Sequence, residues 1–308
     1  MSSAGGAARA GVVVVHFGDA TPTRRCVASV FGDPSPVERR VVVVDNSVTY
    51  PSVPVADEHV LHLPDNPGFG AGANAGVAAL GDGEYGAFIV LNHDVELLPG
   101  YLAAALAGLA RDGTGAAAGP VYLDHAGGPL WYAGGHVNFV FGTVSQSHSR
   151  RLVERPREVG FIPGAAMAVS PRAWREVGGF DPAFFLYNED LDLCLRLRRR
   201  GYTLRFVPAA AAIHRLGGAT GSRDRSPLYL EHLSRTRLRP FQPRAYRVYL
   251  ALLHTLYVTA RAALLAAGGG ARGQEKARAL WRGHREALRT VLAPRPLLGA
   301  AATRRASS

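Results

Sequence analysis

Unbroken apolar runs alternate with small-residue and polar segments through the first third of the chain. Gly11-Val12-Val13-Val14-Val15-His16-Phe17 and Arg39-Arg40-Val41-Val42-Val43-Val44-Asp45-Asn46-Ser47 both read as strands. Because β-branched residues fill every position rather than every second one, both faces of each strand are expected to be covered. Between them, Thr21 to Val30 has helical spacing, with Thr21 as N-cap and Pro22 in the first turn. His59 to Leu63 makes a third strand, Gly70 to Leu80 a helix and Gly86 to Asn92 a fourth strand. This alternation predicts an α/β fold with a doubly wound, mostly parallel sheet flanked by helices.

The pattern loosens from Leu109 to Val159, where Gly127, Gly128, Gly134 and Gly135 and several aromatics predict hairpins and loops. Phe161 to Ser170 reads as a short strand, Pro171 to Val177 as a helix and Asp181 to Phe185 as a loop. Leu191 to Arg200 is an amphipathic helix with Leu191, Cys194, Leu195 and Leu197 inward, and Thr203 to Val207 is a strand leading to Ala211-Ala212-Ile213-His214. Beyond about Leu228 the character changes. Tyr246 to Ala267 is largely apolar, but its uninterrupted part falls short of the roughly 20 residues that span a bilayer. Tyr246, Tyr249 and Tyr257 with Arg244, Arg247 and Arg261 suit a helix lying at a membrane interface; packing on the catalytic domain or a second subunit is the alternative. Gly268-Gly269-Gly270 breaks this segment from a second amphipathic helix, Gln274 to Val291.

Charge sharpens the division. The net charge is +11, yet residues from Glu231 onward hold 15 Arg or Lys against 3 acidic residues, which leaves the remainder near neutral. A basic tail on a neutral body argues against a nucleic-acid-binding face and points to an anionic lipid or anionic partner at the C-terminal surface. Cys26 and Cys194 lack metal-site spacing and fit a reduced compartment. No secretory signal is read, and the expected location is cytoplasmic, peripheral on the inner face of the cell membrane.

Ligands of doubly wound sheets bind beyond the carboxyl ends of the strands. His16, Asp45, Asn46, Asn66, Asn92 and Asp94 each closely follow an apolar run, and Glu189-Asp190-Leu191-Asp192 is a second acidic site. Two carboxylate sites suggest metal-assisted group transfer, with one carboxylate taking a proton from a hydroxyl.

Together these segments resemble the inverting glycosyltransferases of family 2, which have the GT-A fold, and their rhamnosyltransferase-like branch. The resemblance is carried by Val42-Val43-Val44-Asp45-Asn46-Ser47, Asn66-Pro67-Gly68-Phe69-Gly70-Ala71-Gly72-Ala73-Asn74-Ala75-Gly76, Leu91-Asn92-His93-Asp94-Val95, Gly178-Gly179-Phe180-Asp181 with Phe184-Phe185, Glu189 to Cys194, and Ile213-His214. They stand in the family's order over roughly residues 11 to 216, and Arg282-Gly283-His284 is similar to a helical pattern found in such enzymes. The resemblance divides the chain into a flexible leader (1–10), a catalytic domain (11–228, nucleotide-binding half 11–96 and acceptor half 97–228) and a basic helical extension (229–308).

It implies that His16, Asp45, Asn66, Gly72, Asn74, Asn92 and Asp94 bind a dTDP- or UDP-sugar donor. Asp45 accepts the imide N–H of the base, and Asn74 faces the ribose or base. Asn92-His93-Asp94 stands in the place of the family's Asp-x-Asp motif, with Asn for the first Asp. It further implies that Asp94 and His214 hold Mn²⁺ or Mg²⁺, that Asp190 is the base with Glu189 as rival, and that a glycan, lipid-linked or small molecule is the acceptor. His93 is expected to pack away from the site, and Asp192 to pair with Arg196. Trp131, Tyr132 and Trp174 can stack on sugars, but such residues are more often core and they are not counted in the site. A sugar nucleotidyltransferase is the second reading, although Val15-His16-Phe17-Gly18-Asp19 lacks its basic phosphate loop; a non-catalytic nucleotide-sugar-binding protein is the third.

Overall fold

The structure, a computed structural model, describes residues 8–51, 54, 56–215 and 225–292. In chain order the first half forms β1 (Arg9–His16), α1 (Ala20–Phe31), β2 (Glu38–Asp45), β3 (Glu58–His62), α2 (Phe69–Ala79), β4 (Ala87–Asn92), β5 (Val95–Leu97), α3 (Tyr101–Leu109), β6 (Thr114–Ala118) and β7 (Val121–Leu123). Then come β8 (Leu130–Tyr132), β9 (Gly135–Asn138), β10 (Thr143–Gln146), β11 (Arg157–Glu158), β12 (Ala166–Val169), α4 (Pro171–Val177), α5 (Glu189–Arg199), β13 (Thr203–Phe206) and β14 (Ala212–His214). Three helices follow: α6 (Pro227–Thr236), α7 (Arg244–Gly268) and α8 (Gly270–Leu292).

Eight strands make the main sheet, in the order β11-β13-β6-β12-β4-β1-β2-β3. Strands β1 to β4 run parallel, as the alternation predicts, whereas β12 enters antiparallel between β4 and β6. The valine runs explain themselves here. Val13, Val15, Val42 and Val44 belong to one core cluster, and Val12, Val14, Val41 and Val43 to another on the opposite face. Each buried valine contributes roughly 1.5–3 kcal/mol relative to exposure. Helix α2 lies close on the first face, because a methyl at Gly76 would overlap Val13 and Val44.

A smaller sheet, β5-β14-β7-β8, sits at the carboxyl end of β4. It joins the segment after Asn92 to the segment ending at His214, distant parts of the chain. The extension is not a loose appendage. Leu238, Phe241, Leu250, Ala251, Ala287 and Val291 share the core cluster of the sheet, and Arg199 donates to the carbonyl of Pro240 at 2.9 Å.

Several boundaries differ from expectation. Asp19, not Thr21, caps α1, since its carboxylate accepts the Thr21 N–H at 2.9 Å. Strand β1 begins at Arg9, inside the expected leader, while residues 1–7 and 293–308 lie outside the described residues. Helix α7 runs 25 residues without interruption and is long and apolar enough to cross a membrane by length and composition, because small and polar residues interrupt the apolar run but not the helix.

Candidate active site

Helix α5 starts at Glu189, two residues before the expected start, which places Glu189, Asp190 and Asp192 in its first turn. Carboxylates there are favoured by the helix dipole. Each is oriented differently. Asp192 is buried and pairs with Arg196 at 2.6 Å, the expected structural task. Asp190 is half-buried; its Oδ2 accepts the Gly164 N–H at 3.0 Å and its Oδ1 the Leu191 N–H at 2.7 Å. Glu189 is buried, and its Oε2 has no hydrogen-bond partner among the described residues. Burial, with Asp190 adjacent, pushes the Glu189 carboxyl up to about 8, while burial raises Asp190 against the pull of the Gly164 and Leu191 amides. Glu189 is thus the carboxyl that holds its proton longer, and Asp190, with the Gly164 and Leu191 amides favouring its charged form, is the first of the pair to ionise.

Two residues ahead of the helix make this turn unusual. Tyr187 and Asn188 both adopt left-handed backbone, at φ 66° and 64°, which is costly outside glycine. Helix α6 holds them there: the Asn188 amide donates to Thr236 Oγ1 at 2.8 Å and to the Leu233 carbonyl at 3.2 Å, and Thr236 Oγ1 donates to the Tyr187 carbonyl at 2.9 Å. Sequence reasoning missed this clasp; the one signal is an Asn just before the acidic run, the residue type that best tolerates αL after glycine. We predict that Thr236→Val lowers kcat about tenfold or more by misplacing Asp190, leaves the donor KM unchanged and is rescued by Thr236→Ser. Steady-state kinetics of the two variants checks this.

Gly164 connects the carboxylates to the sheet edge, because its neighbour Ala165 accepts the Asn92 N–H at 2.9 Å. Just past Asn92, Asp94 Oδ1 lies 3.0 Å from His214 Nε2, and both side chains are buried. Antiparallel pairing of β5 with β14 makes the contact, since Val95 is opposite His214. His214 Nδ1 has no partner among the described residues, and the Trp131 ring meets the imidazole edge-on at 4.9 Å. Of the three stacking candidates Trp131 alone reaches the site: Trp174 and Tyr132 are buried in the core.

Other expected donor contacts point inward. His16 is fully buried; its ring nitrogens lie 2.6 Å from Thr23 Oγ1 and 3.0 Å from Thr49 Oγ1, and burial lowers it to about 4, so it is neutral. Asp45 is also fully buried. Its Oδ1 accepts the Ser47 N–H and hydroxyl, and its Oδ2 accepts the Tyr50 N–H and lies 3.1 Å from His62 Nδ1. Burial alone would raise this carboxyl, but those hydrogen bonds outweigh it and hold it below the usual range. Both residues therefore brace the loop 46–50. Asn74 is committed elsewhere as well: its Oδ1 accepts the Phe180 N–H at 2.9 Å and its amide donates to the Phe180 carbonyl at 2.8 Å, fixing the Gly178-Gly179-Phe180 turn. Gly72 makes room for the Asn46 amide, 3.1 Å from where a methyl would stand.

Asn66 is half-buried, accepts the Gly68 N–H at 3.3 Å, and precedes a helix whose N-cap, Gly68, supplies no side-chain cap. Gly68 has φ 90° and leaves no space for a side chain, since a methyl would strike the Phe185 carbonyl. That carbonyl accepts the Phe69 N–H at 3.0 Å, tying α2 to the loop that precedes α5. His93 packs edge-on against His16 at 6.0 Å, as expected.

Among the described residues no group of three or more His, Cys, Asp or Glu is placed to hold a metal. Asp94 and His214 still offer one hard oxygen and one borderline nitrogen side by side, a pair that suits Mn²⁺ when a ligand supplies the other donors. The Asp94–His214 pair stands just past the end of β4, and the Glu189–Asp190 pair is tied to the same strand through Gly164 and Ala165.

The profile of the glycosyl transferase family group 2 matches residues 87–259, more than half the chain, from the start of β4 into α7. The chain belongs to the family 2 glycosyltransferases. An N-acetylglucosaminyl-diphospho-decaprenol L-rhamnosyltransferase of Mycobacterium tuberculosis is 30% identical over 72% of this chain and 81% of its own length. The rhamnosyltransferase WbbL of Escherichia coli is 37% identical over a shorter segment, 25% of this chain and 30% of its own. Solved structures place this glycosyltransferase in the GT-A fold. GalNAc-T7 with UDP, GalNAc and Mn²⁺ aligns with TM-score 0.58 at 16% identity over 90% of this chain, which spans only 55% of that one. The mannosyltransferase PcManGT of Pyrobaculum calidifontis with GDP-Man and Mn²⁺ aligns with TM-score 0.56 at 14% identity, over 92% of this chain and 87% of that one.

Proposed function

We propose that this glycosyltransferase moves L-rhamnose from dTDP-L-rhamnose to a hydroxyl of a lipid-linked glycan, with inversion at the anomeric carbon. The observation that carries the reading is Asp190, a half-buried carboxylate held by the Gly164 amide beside the edge of β4 where Asn92 and Asp94 emerge. The rhamnosyltransferase relatives support the donor, and the polyprenyl diphosphate in the name of the Mycobacterium tuberculosis relative supports a lipid-linked acceptor. UDP-hexoses are the competing donors.

In this reading the acceptor oxygen attacks the anomeric carbon as Asp190 takes its proton, and the bond to the diphosphate breaks on the opposite face. Asn66, Asn92 and the N-terminus of α2, which has no side-chain cap, bind the donor, its anionic diphosphate favoured by the helix dipole. Asp94 and His214 would hold Mn²⁺ or Mg²⁺, which would neutralise charge on the departing diphosphate. His16 and Asp45 keep the loop 46–50 in place beneath the base, Trp131 keeps the His214 ring in register, and protonated Glu189 spares Asp190 a second negative charge. Proton NMR of the isolated product tests the stereochemistry. A new linkage of the anomeric configuration opposite to the donor is the expected result; retention would exclude a single displacement with Asp190 as base.

A further inference from the structure

The tip of the β9–β10 hairpin is three exposed apolar residues in a row. Phe139, Val140 and Phe141 are 50%, 60% and 59% exposed, an arrangement that costs solubility and that a hairpin turn does not need. The tip does not stand alone. Tyr246 donates its hydroxyl to the Phe139 carbonyl, Tyr249 donates to the Val140 carbonyl at 3.0 Å, and Gly142 fits against Leu250. Those contacts set the hairpin tip on the N-terminal half of α7.

From there the apolar surface continues along the helix. Val248, Leu252, Leu256, Tyr257 and Leu264 recur at helical spacing on one face, with Leu252, Leu256 and Leu264 each about two-thirds exposed. The opposite face is locked into the protein: Leu250 and Ala251 join the core of the sheet, and Val258 and Ala262 pack against α8. Helix α7 therefore has the length and composition of a spanning segment, yet one of its faces is packed on the sheet core and on α8.

We infer that this surface, hairpin tip and α7 together, seats the enzyme on an anionic lipid bilayer, with Phe139, Val140 and Phe141 entering the acyl region. Charge selects the lipid over a second copy of the chain. A groove of about 690 Å³ between α7 and α8 has alanine walls and Trp281, and Arg278, Arg285 and Arg282, the last paired with Glu231 at 2.9 Å, line it. Arg244 is exposed at the other end of α7. Two such basic faces would repel each other, whereas an apolar strip beside arginines matches acyl chains beneath anionic headgroups. The sequence pattern assigns membrane contact to the tail; the structure adds a wedge from the catalytic domain, so the enzyme would sit in a defined orientation. The proposal gives a purpose to the reading of a lipid-borne acceptor, but its test uses neither donor nor acceptor, so the two stand or fall separately.

The test is co-sedimentation of the full chain with vesicles of phosphatidylcholine alone or with phosphatidylglycerol added, for wild type and for the triple variant Phe139→Ser, Phe141→Ser, Leu252→Ser. All three positions are solvent-exposed, and circular dichroism confirms that the variant folds. Wild type is expected to bind the anionic vesicles, and the variant to lose tenfold or more in partitioning. Phe141→Trp is expected to shift its emission to the blue and to be quenched by brominated lipid. Any one of three results overturns the proposal: wild type that ignores anionic vesicles, a variant that binds them as wild type does, or wild type that sediments as a dimer while the variant is a monomer.

Discussion

Glu189→Gln is expected to keep turnover within a fewfold of wild type at pH 7, whereas Asp190→Asn loses about 10²–10⁴-fold in kcat and keeps its donor affinity. The two side chains are neighbours in sequence, but the structure separates their charge states. Glu189, raised to about 8, is protonated at pH 7, so a neutral amide of the same shape replaces it closely. Asp190, whose charged form the Gly164 and Leu191 amides favour, is the first of the pair to ionise, and an amide there cannot take the acceptor proton. The pH profile carries a sharper form of the prediction. As pH falls through the raised Asp190 value the rate drops, so the acid limb lies above the ordinary carboxylate range.

Stability moves with the other residue. The folded chain holds a proton on Glu189 that the unfolded chain releases near 4.5, so the wild type loses stability as pH rises from 4.5 through about 8. Glu189→Gln should flatten that slope, which thermal unfolding across the same pH range measures. A Glu189→Gln variant as inactive as Asp190→Asn would transfer the base to Glu189.

The second large effect concerns Asp94 and His214. If this pair holds the divalent cation, His214→Ala and Asp94→Asn each lose on the order of 10²-fold or more in kcat/KM, since a metal supplying several kcal/mol of transition-state stabilisation loses a donor. Titration calorimetry gives an independent reading. Mn²⁺ should tighten donor binding to wild type, and that tightening should vanish in both variants while metal-free binding of the nucleoside portion persists. Equal Mn²⁺ enhancement in wild type and His214→Ala would show that the 3.0 Å Asp94–His214 contact is a structural ion pair.

Much of this was legible in the residues. The valine runs predict strands covered on both faces, and their alternate side chains enter two separate clusters. The polar residues His16, Asp45 and Asn92 that follow apolar runs do end β1, β2 and β4 at one edge of the sheet. What the pattern cannot show is the direction of each side chain there. His16 and Asp45 end β1 and β2 and Asn74 lies midway along α2, yet they spend their hydrogen bonds on the loop 46–50 and the Gly178–Phe180 turn, and the partner of Asn74 stands 106 residues further along the chain. The pairing of Asp94 with His214 depends on β5 meeting β14, a register set by a whole folded domain. The Asn188–Thr236 clasp likewise joins the turn before Asp190 to an extension that reads, in sequence, as a separate basic tail.

The most direct test of the central claim is nucleotide release by the purified chain across a panel of dTDP- and UDP-sugars, each with Mn²⁺, Mg²⁺ or EDTA. Release of dTDP from dTDP-L-rhamnose with metal, and its loss with EDTA, is the result this account predicts. Binding of no donor under any condition would contradict it and leave Asn66, Asn92 and Asp94 as parts of a fold without a donor site.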